Sequence, residues 1–243
     1  MEPLQWLTAI LCAFLIGIAK TGVPGVAILG TTLMAAVMPA KASTGFVLPL
    51  LIIGDIYAVI YYRRNAVWKH LLPLFPWAIL GVLIGYLLMD KVTDAQLRPI
   101  IGAIVLVVLA LNQLKSLKQG DDLAVPDHWS FAAAAGLAAG TTTMMANAAG
   151  PIMAIYLLAM RLPKTEFIGT GAWYFLFVNL IKVPFSYDLG LITTHSLGLN
   201  AILIPVVVIG AVLGVYLLRV IPERVFKNLV VVFAAVAAIK LFF

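Results

Sequence analysis

The chain has 243 residues, of which 63% are hydrophobic and only 11% are charged. A soluble domain would carry about 25% charged residues, so the composition excludes a soluble globular enzyme and indicates an all-α polytopic membrane protein. The formal net charge of +6 comes from short clusters between apolar runs. Such clusters are typical of cytoplasmic loops, and we expect no nucleic-acid partner. The N-terminus lacks the basic region of a secretory signal, so we expect the first apolar run to be mature structure.

Ten apolar segments follow one another along the chain. A helix needs about 20 residues to cross the hydrocarbon core, and most segments reach this length. The first two and the seventh are shorter, and a Gly/Pro-rich break lies within each of the pairs 1–2 and 6–7. We expect these pairs to be short broken helices, either re-entrant hairpins or full crossings. The segments are residues 4–19, 24–38, 42–62, 71–89, 97–114, 129–145, 151–160, 166–185, 199–218 and 226–243.

The two halves of the chain resemble each other. Pro76 begins a PxxxxGxxxG pattern, and Pro205 begins the same pattern 129 residues later. Asp55 in the third segment aligns with Asn179 in the eighth, at an offset of 124. A duplication explains these matches, with a polar connector between two transmembrane repeats. The first repeat, the connector and the second repeat are residues 1–114, 115–128 and 129–243.

Each repeat holds five segments, and because five is odd, the second repeat enters the membrane from the opposite side. The sequence therefore predicts an inverted-topology repeat, as in many secondary transporters. With this topology, eleven basic residues, Lys20 among them, lie on one side and four on the other. The positive-inside rule then predicts a cytoplasmic connector. Both termini are expected on the external, periplasmic side of the inner membrane.

The two breaks are the most informative feature for function. Proline is favoured in the first turn of a helix, so Pro24 and Pro151 are predicted to begin helices. If the pairs are hairpins, these helix N-termini lie near the bilayer midplane, where their free N–H groups and partial positive charge favour an anion. Gly22, Gly25 and Gly150 would let a ligand approach the backbone closely. Two ordinary tight turns between full crossings are the alternative.

Polar side chains near the breaks would complete an anion site. Lys20 would supply a full positive charge, unless it extends to the cytoplasmic surface. Asn147 is a neutral donor, and it follows three threonines, two of which we expect to bond to helix carbonyls instead. Lys182 lies three residues after Asn179, on the same helix face. The predicted substrate-binding residues are Lys20, Thr21, Gly22, Gly25, Asn147, Gly150, Asn179 and Lys182.

Asp55 is the acid that lies well inside a long apolar segment. Acids within the membrane are costly and usually functional. Asp55 is therefore the candidate for the coupling residue. It would either carry a proton or pair with a lysine. A purely structural ion pair is the alternative.

Several stretches resemble the sulfite exporter TauE/SafE family of membrane transporters, and the resemblance covers nearly the whole chain. In the first half it rests on GIAKTGVPG at 17–25, LPLLIIGD at 48–55 and YYRR at 61–64. In the second half it rests on NAAGP at 147–151 and FVNLIKVP at 177–184. The resemblance implies export of a sulfur-containing anion, such as sulfite or a small organosulfonate, with substrate bound at the two hairpin tips.

These observations predict a secondary transporter for a small anion that works by alternating access. A passive anion channel, or a carrier of another anion such as a carboxylate, remains open at this point. No nucleophile or metal-ligand motif is present, so we expect no enzyme activity, metal or cofactor. The expected partners are the anionic substrate, the lipid bilayer and a coupled proton. The small-residue faces also allow a homodimer.

Overall fold

A computed structural model describes residues 2–89, 91 and 129–240. These residues form ten α-helices and a 3-10 turn at Arg63–Asn65, and no strand occurs among them. Apolar runs of helix-forming length, bounded by Gly, Pro or polar residues, account for this architecture. The helices are α1 Pro3–Thr21, α2 Ala27–Val37, α3 Ala40–Tyr62, α4 Trp68–Leu71, α5 Phe75–Leu88, α6 Trp129–Ala146, α7 Gly150–Ala159, α8 Lys164–Asp188, α9 Thr194–Val220 and α10 Glu223–Lys240.

Nine of the ten predicted segments coincide with described helices. The remaining segment, the fifth in the chain at 97–114, and the connector at 115–128 lie outside the described residues. Among the described helices, α1, α3, α8 and α9 are long and apolar enough to cross a membrane. For the residues that the structure describes, the prediction of an all-α polytopic membrane protein is confirmed.

The two breaks precede the shortest apolar helices. α2 has 11 residues and α7 has 10, so each is about 15 Å long, half the thickness of the hydrocarbon core. Pro151 lies in the first turn of α7, as predicted. Pro24 was predicted to begin a helix, and this is wrong, because α2 begins three residues later. Gly25 has φ +95°, a left-handed conformation that cannot continue into a right-handed helix.

Two close helix crossings depend on glycine. α1 packs on α9 through Gly17 and Gly210, and a Cβ on Gly210 would lie 2.2 Å from a backbone carbonyl oxygen of α1. α5 packs on α6 through Gly81 and Gly140, and a Cβ on Gly140 would lie 2.2 Å from a carbonyl oxygen of α5. Small residues let helix backbones approach in this way inside a membrane.

We expect Gly210→Ala to lower the thermal midpoint of the purified protein, because its new methyl group overlaps backbone atoms that cannot move aside. Overpacking of this kind costs about 1–3 kcal/mol. Gly198→Ala, in the same helix, is the matched control, because a Cβ there meets nothing within 4 Å. Thermal unfolding in one detergent compares the two variants. Equal midpoints for both would contradict the packing role of the crossing.

The longest helices meet around a polar cluster. α3 and α8 pack against each other, and α1 and α6 also contact α3. Buried apolar side chains form one cluster among α1, α2, α3 and α9 and a larger one centred on α5–α8. The polar side chains described next come from α1, α3, α6 and α8, so they link the two halves of the chain.

Candidate functional site

Asp55 on α3 is completely buried and has a partner at each carboxylate oxygen. The Nζ atom of Lys20 lies 2.7 Å from Oδ1, and the amide nitrogen of Asn179 donates to Oδ2 at 2.7 Å. An isolated carboxylate at this depth would be very costly, so the ion pair explains why the acid is tolerated. Lys20 and Asp55 come from different helices, and Asn179 from the other half of the chain.

Lys20 does not extend to the cytoplasmic surface. Its side chain is 9% exposed, and its ammonium group also lies 4.2 Å from the centre of the Phe175 ring, a cation–π contact. The alternative prediction of a surface lysine is therefore wrong. Lys20 also leaves the set of basic residues assigned to the cytoplasmic side, which falls from eleven to ten.

Lys182 on α8 is the second buried cation. Its Nζ atom donates to the side-chain oxygens of Asn147 at 2.6 Å, Thr143 at 3.2 Å and Asn179 at 3.3 Å. These three bonds use all the donors of an ammonium group, and all three acceptors are neutral. Two ammonium groups and one carboxylate therefore meet within this part of the described structure, so the cluster carries a formal charge of +1.

Two asparagines connect the cluster. Asn179 donates to Asp55 and accepts from Lys182, so it joins the two charged centres. Asn147 accepts from Lys182 and donates to the backbone carbonyl of Thr44 at 3.0 Å. Asn147 has φ 53°, a left-handed conformation that asparagine tolerates better than most residues. Its side chain thereby connects the second break with α3 of the first half.

A cavity of about 80 Å³ lies where the two breaks meet. This volume holds a few water molecules or a small ion. Pro24 and Gly25 of the first break line it together with Asn147 and Gly150 of the second. The N-termini of α2 and α7 therefore both reach the cavity, and each contributes partial positive charge. The rest of the lining includes Lys20, Thr31, Thr143, Asn179 and an apolar wall that contains Leu51, Leu157 and Phe175.

The structure brings most of the predicted site residues together. Lys182 lies directly behind the cavity lining, and Asp55 lies behind Lys20. The predicted residues that line the cavity are Lys20, Gly25, Asn147, Gly150 and Asn179.

Thr21 and Gly22 do not line the cavity. The hydroxyl of Thr21 donates to the backbone carbonyls of Ala211 at 2.7 Å and Gly17 at 3.1 Å. A Cβ on Gly22 would lie 2.3 Å from the carbonyl oxygen of Gly214. Because consecutive helical residues point about 100° apart, Lys20 turns towards α3 while its neighbour turns towards α9. Both residues fasten α1 to α9.

The three threonines before the second break divide as predicted. Thr141 donates to the carbonyl of Leu137 and Thr142 to that of Ala138, four residues earlier in each case. Only Thr143 of the three contacts Lys182. Two of them therefore satisfy their hydroxyls within α6, and the third belongs to the site.

Phe175 is the site residue that the sequence reasoning missed. It lies four residues before Asn179 and seven before Lys182 on α8, so all three share one helix face. This spacing was the available signal. An aromatic ring at a helical position is usually part of a core, however, and the cation above it comes from a distant helix.

Comparison with known proteins identifies the family of the chain. The family model described as "Sulfite exporter TauE/SafE" matches residues 9–241. Curated relatives include the protein described as "Probable membrane transporter protein MamO" from Magnetospirillum gryphiswaldense and its counterpart from Paramagnetospirillum magneticum. Each is 22% identical over an alignment of 214 residues that covers 72% of this chain and 34% of the relative. The chain thus spans about a third of the length of these curated relatives, and no solved structure matches it.

The family match covers nearly the whole chain, including both breaks and all four helices that contribute to the buried polar cluster. The chain therefore belongs to the sulfite exporter TauE/SafE family of membrane transporters.

Proposed function

We propose that the protein is a secondary transporter that exports a small sulfur-containing anion, such as sulfite or an organosulfonate. Substrate would bind in the cavity between the two breaks, which Lys20, Asn147 and Asn179 line. The family description supports the sulfur anion, and the chemistry of the cavity supports an anion independently of it.

The observation that carries this proposal is the excess positive charge of the buried cluster. Lys182 is held by three neutral oxygens, so none of its hydrogen-bond partners among the described residues balances its charge. Burying an unbalanced charge is costly, and a monovalent anion in the adjoining cavity would balance it. Asn147, Asn179 and Thr143 line the cavity in front of Lys182, so the anion would meet their polar groups first.

We infer that the two halves form an inverted repeat. The two halves exchange contacts reciprocally. α1 of the first half packs on α9 of the second, and α5 of the first half packs on α6 of the second. Gly17 lies against Gly210 in one crossing, and Gly81 lies against Gly140 in the other. The equivalent residues Asp55 and Asn179 contact each other. Such exchange is expected of two halves related by a two-fold axis through the site.

We propose that transport occurs by alternating access. The two halves would rock about the cavity, which opens first to one side of the membrane and then to the other. The short lengths of α2 and α7 support re-entrant hairpins whose tips end at the cavity. The distribution of basic residues supports termini on the periplasmic side of the inner membrane.

Counterflow tests the proposal. Proteoliposomes loaded with unlabelled sulfite should transiently accumulate radiolabelled sulfite, because a carrier exchanges bound substrate across the membrane. Sulfoacetate or taurine should block this exchange, and acetate should not. Liposomes without protein provide the control.

Two outcomes would contradict the proposal. Anion conductance without counterflow would indicate a passive channel. Exchange blocked by acetate as strongly as by sulfoacetate would indicate a carrier of general carboxylates.

A further inference from the structure

Phe175 lines the cavity of the proposed anion site, and the ammonium group of Lys20 lies over its ring. The Nζ atom is 4.2 Å from the ring centre, well inside the limit of about 6 Å for a cation–π contact. The ring belongs to α8 and the lysine to α1, so the contact joins the two halves of the chain. Phe175 also packs against the larger apolar cluster, which limits the movement of its ring.

The ammonium group of Lys20 therefore has partners on two different helices. Oδ1 of Asp55 lies 2.7 Å away on α3, and the ring of Phe175 lies on α8. Lys20 itself lines the cavity. A lysine side chain loses much rotamer freedom when it is fixed, and here two protein groups already fix it before an anion arrives. Such preorganisation raises affinity, because the ligand does not have to order the group that binds it.

An aromatic ring differs from the other groups that could stabilise this cation. A second carboxylate would cancel the formal charge of +1 that Lys20, Lys182 and Asp55 give the cluster. An aliphatic side chain would place hydrocarbon against a buried charge, which is costly. The electron-rich face of an aromatic ring attracts a cation but carries no net charge. Phe175 can therefore stabilise Lys20 without neutralising it.

We propose that Phe175 is a positioning residue for anion binding, which holds the charged ammonium group of Lys20 at the cavity wall. This inference rests on the proposed function, because it assigns a role within the same site. It predicts that the electron density of the ring determines the affinity for the transported anion. A residue that only packs in an apolar core would act through its size and shape alone.

A trifluorinated phenylalanine in place of Phe175 separates these two roles. The fluorine atoms withdraw electron density from the ring face and change the shape of the side chain little. The sulfite concentration for half-maximal counterflow should rise about tenfold, and the maximal exchange rate should not change. The same replacement of Phe177 is the matched control, because Phe177 contacts Phe75 on the same helix and does not line the cavity. Equal affinities in the fluorinated and unmodified forms at Phe175 would overturn the proposal.

A double-variant cycle tests whether the ring acts through Lys20. Fluorination of Phe175 should lower the affinity about tenfold in the otherwise unmodified protein and leave it unchanged in Lys20→Met, where no cation remains. The same loss of affinity in both backgrounds would mean that the ring acts on the substrate directly or by packing, which would overturn the proposal. Absence of counterflow in the unmodified protein would instead refute the proposed function, and this inference would fall with it.

Discussion

Replacing Lys20 by methionine should lower the affinity for the transported anion about a hundredfold. Removal of one partner from a buried charge interaction costs 2–5 kcal/mol or more, and about 2.8 kcal/mol corresponds to a hundredfold change in affinity. Methionine keeps the length and apolar stem of lysine, so the cavity wall is preserved. Counterflow at a range of sulfite concentrations measures the apparent affinity.

The same substitution removes the cation that is paired with Asp55 at 2.7 Å, so loss of activity alone could reflect unfolding. Breaking a buried ion pair costs about 3–5 kcal/mol, and Lys20→Met should therefore also lower the thermal midpoint. The double variant Lys20→Met/Asp55→Asn removes both charges and should regain most of the stability without regaining transport. Transport at the unmodified level by a stable double variant would show that Lys20 does not bind substrate.

Replacing Asp55 by asparagine should separate exchange from its driving force. If one proton moves with each anion, an imposed gradient of one pH unit changes the steady-state anion ratio about tenfold, equivalent to about 1.4 kcal/mol. Asp55→Asn cannot release a proton, so its anion ratio should not respond to the gradient. Counterflow needs no gradient and should persist, because Lys20 and Lys182 remain.

Measurements of anion accumulation at several imposed pH gradients distinguish the two roles of Asp55. A response in Asp55→Asn equal to that of the unmodified protein would refute proton coupling through this residue and leave a structural ion pair. Collapse of counterflow together with the gradient response would indicate that the carboxylate is needed to hold the site together. Thermal unfolding of the same sample separates this case from global loss of structure.

The sequence predicts the helices well because the length of each apolar run and the turn residues between runs act locally. The boundaries of α3 and α8 lie within three residues of such runs, whereas α9 begins five residues before its run. The first break was predicted less well. A proline suggested a helix start at Pro24, but the left-handed backbone of Gly25 delays α2 until Ala27. Gly25 also lies close to Phe233 of α10, where an added Cβ would be 2.5 Å from the Phe233 Cβ, and no local pattern reveals this contact.

The candidate site could be predicted in its residue types but not in its pairings. An acid and two lysines inside apolar segments indicate a buried charged cluster, since each is too costly to bury alone. Whether Asp55 pairs with Lys20 or Lys182 depends on how α1 and α8 are rotated against α3. The same rotation takes Thr21 away from the cavity and brings Phe175 to Lys20. Helix rotation is a tertiary property, and a single sequence carries little information on it.

If the protein is the inverted-repeat carrier proposed above, the contact between Asp55 and Asn179 has a consequence for its resting state. In an inverted repeat, the inward-open and outward-open forms arise from exchanging the conformations of the two halves. Identical halves would give these forms equal free energies. Here the acid belongs to the first half and the amide to the second, so the exchange is not energetically neutral. The unloaded protein would then favour one side of the membrane, a built-in directional bias to which this divergent pair of duplicated residues contributes.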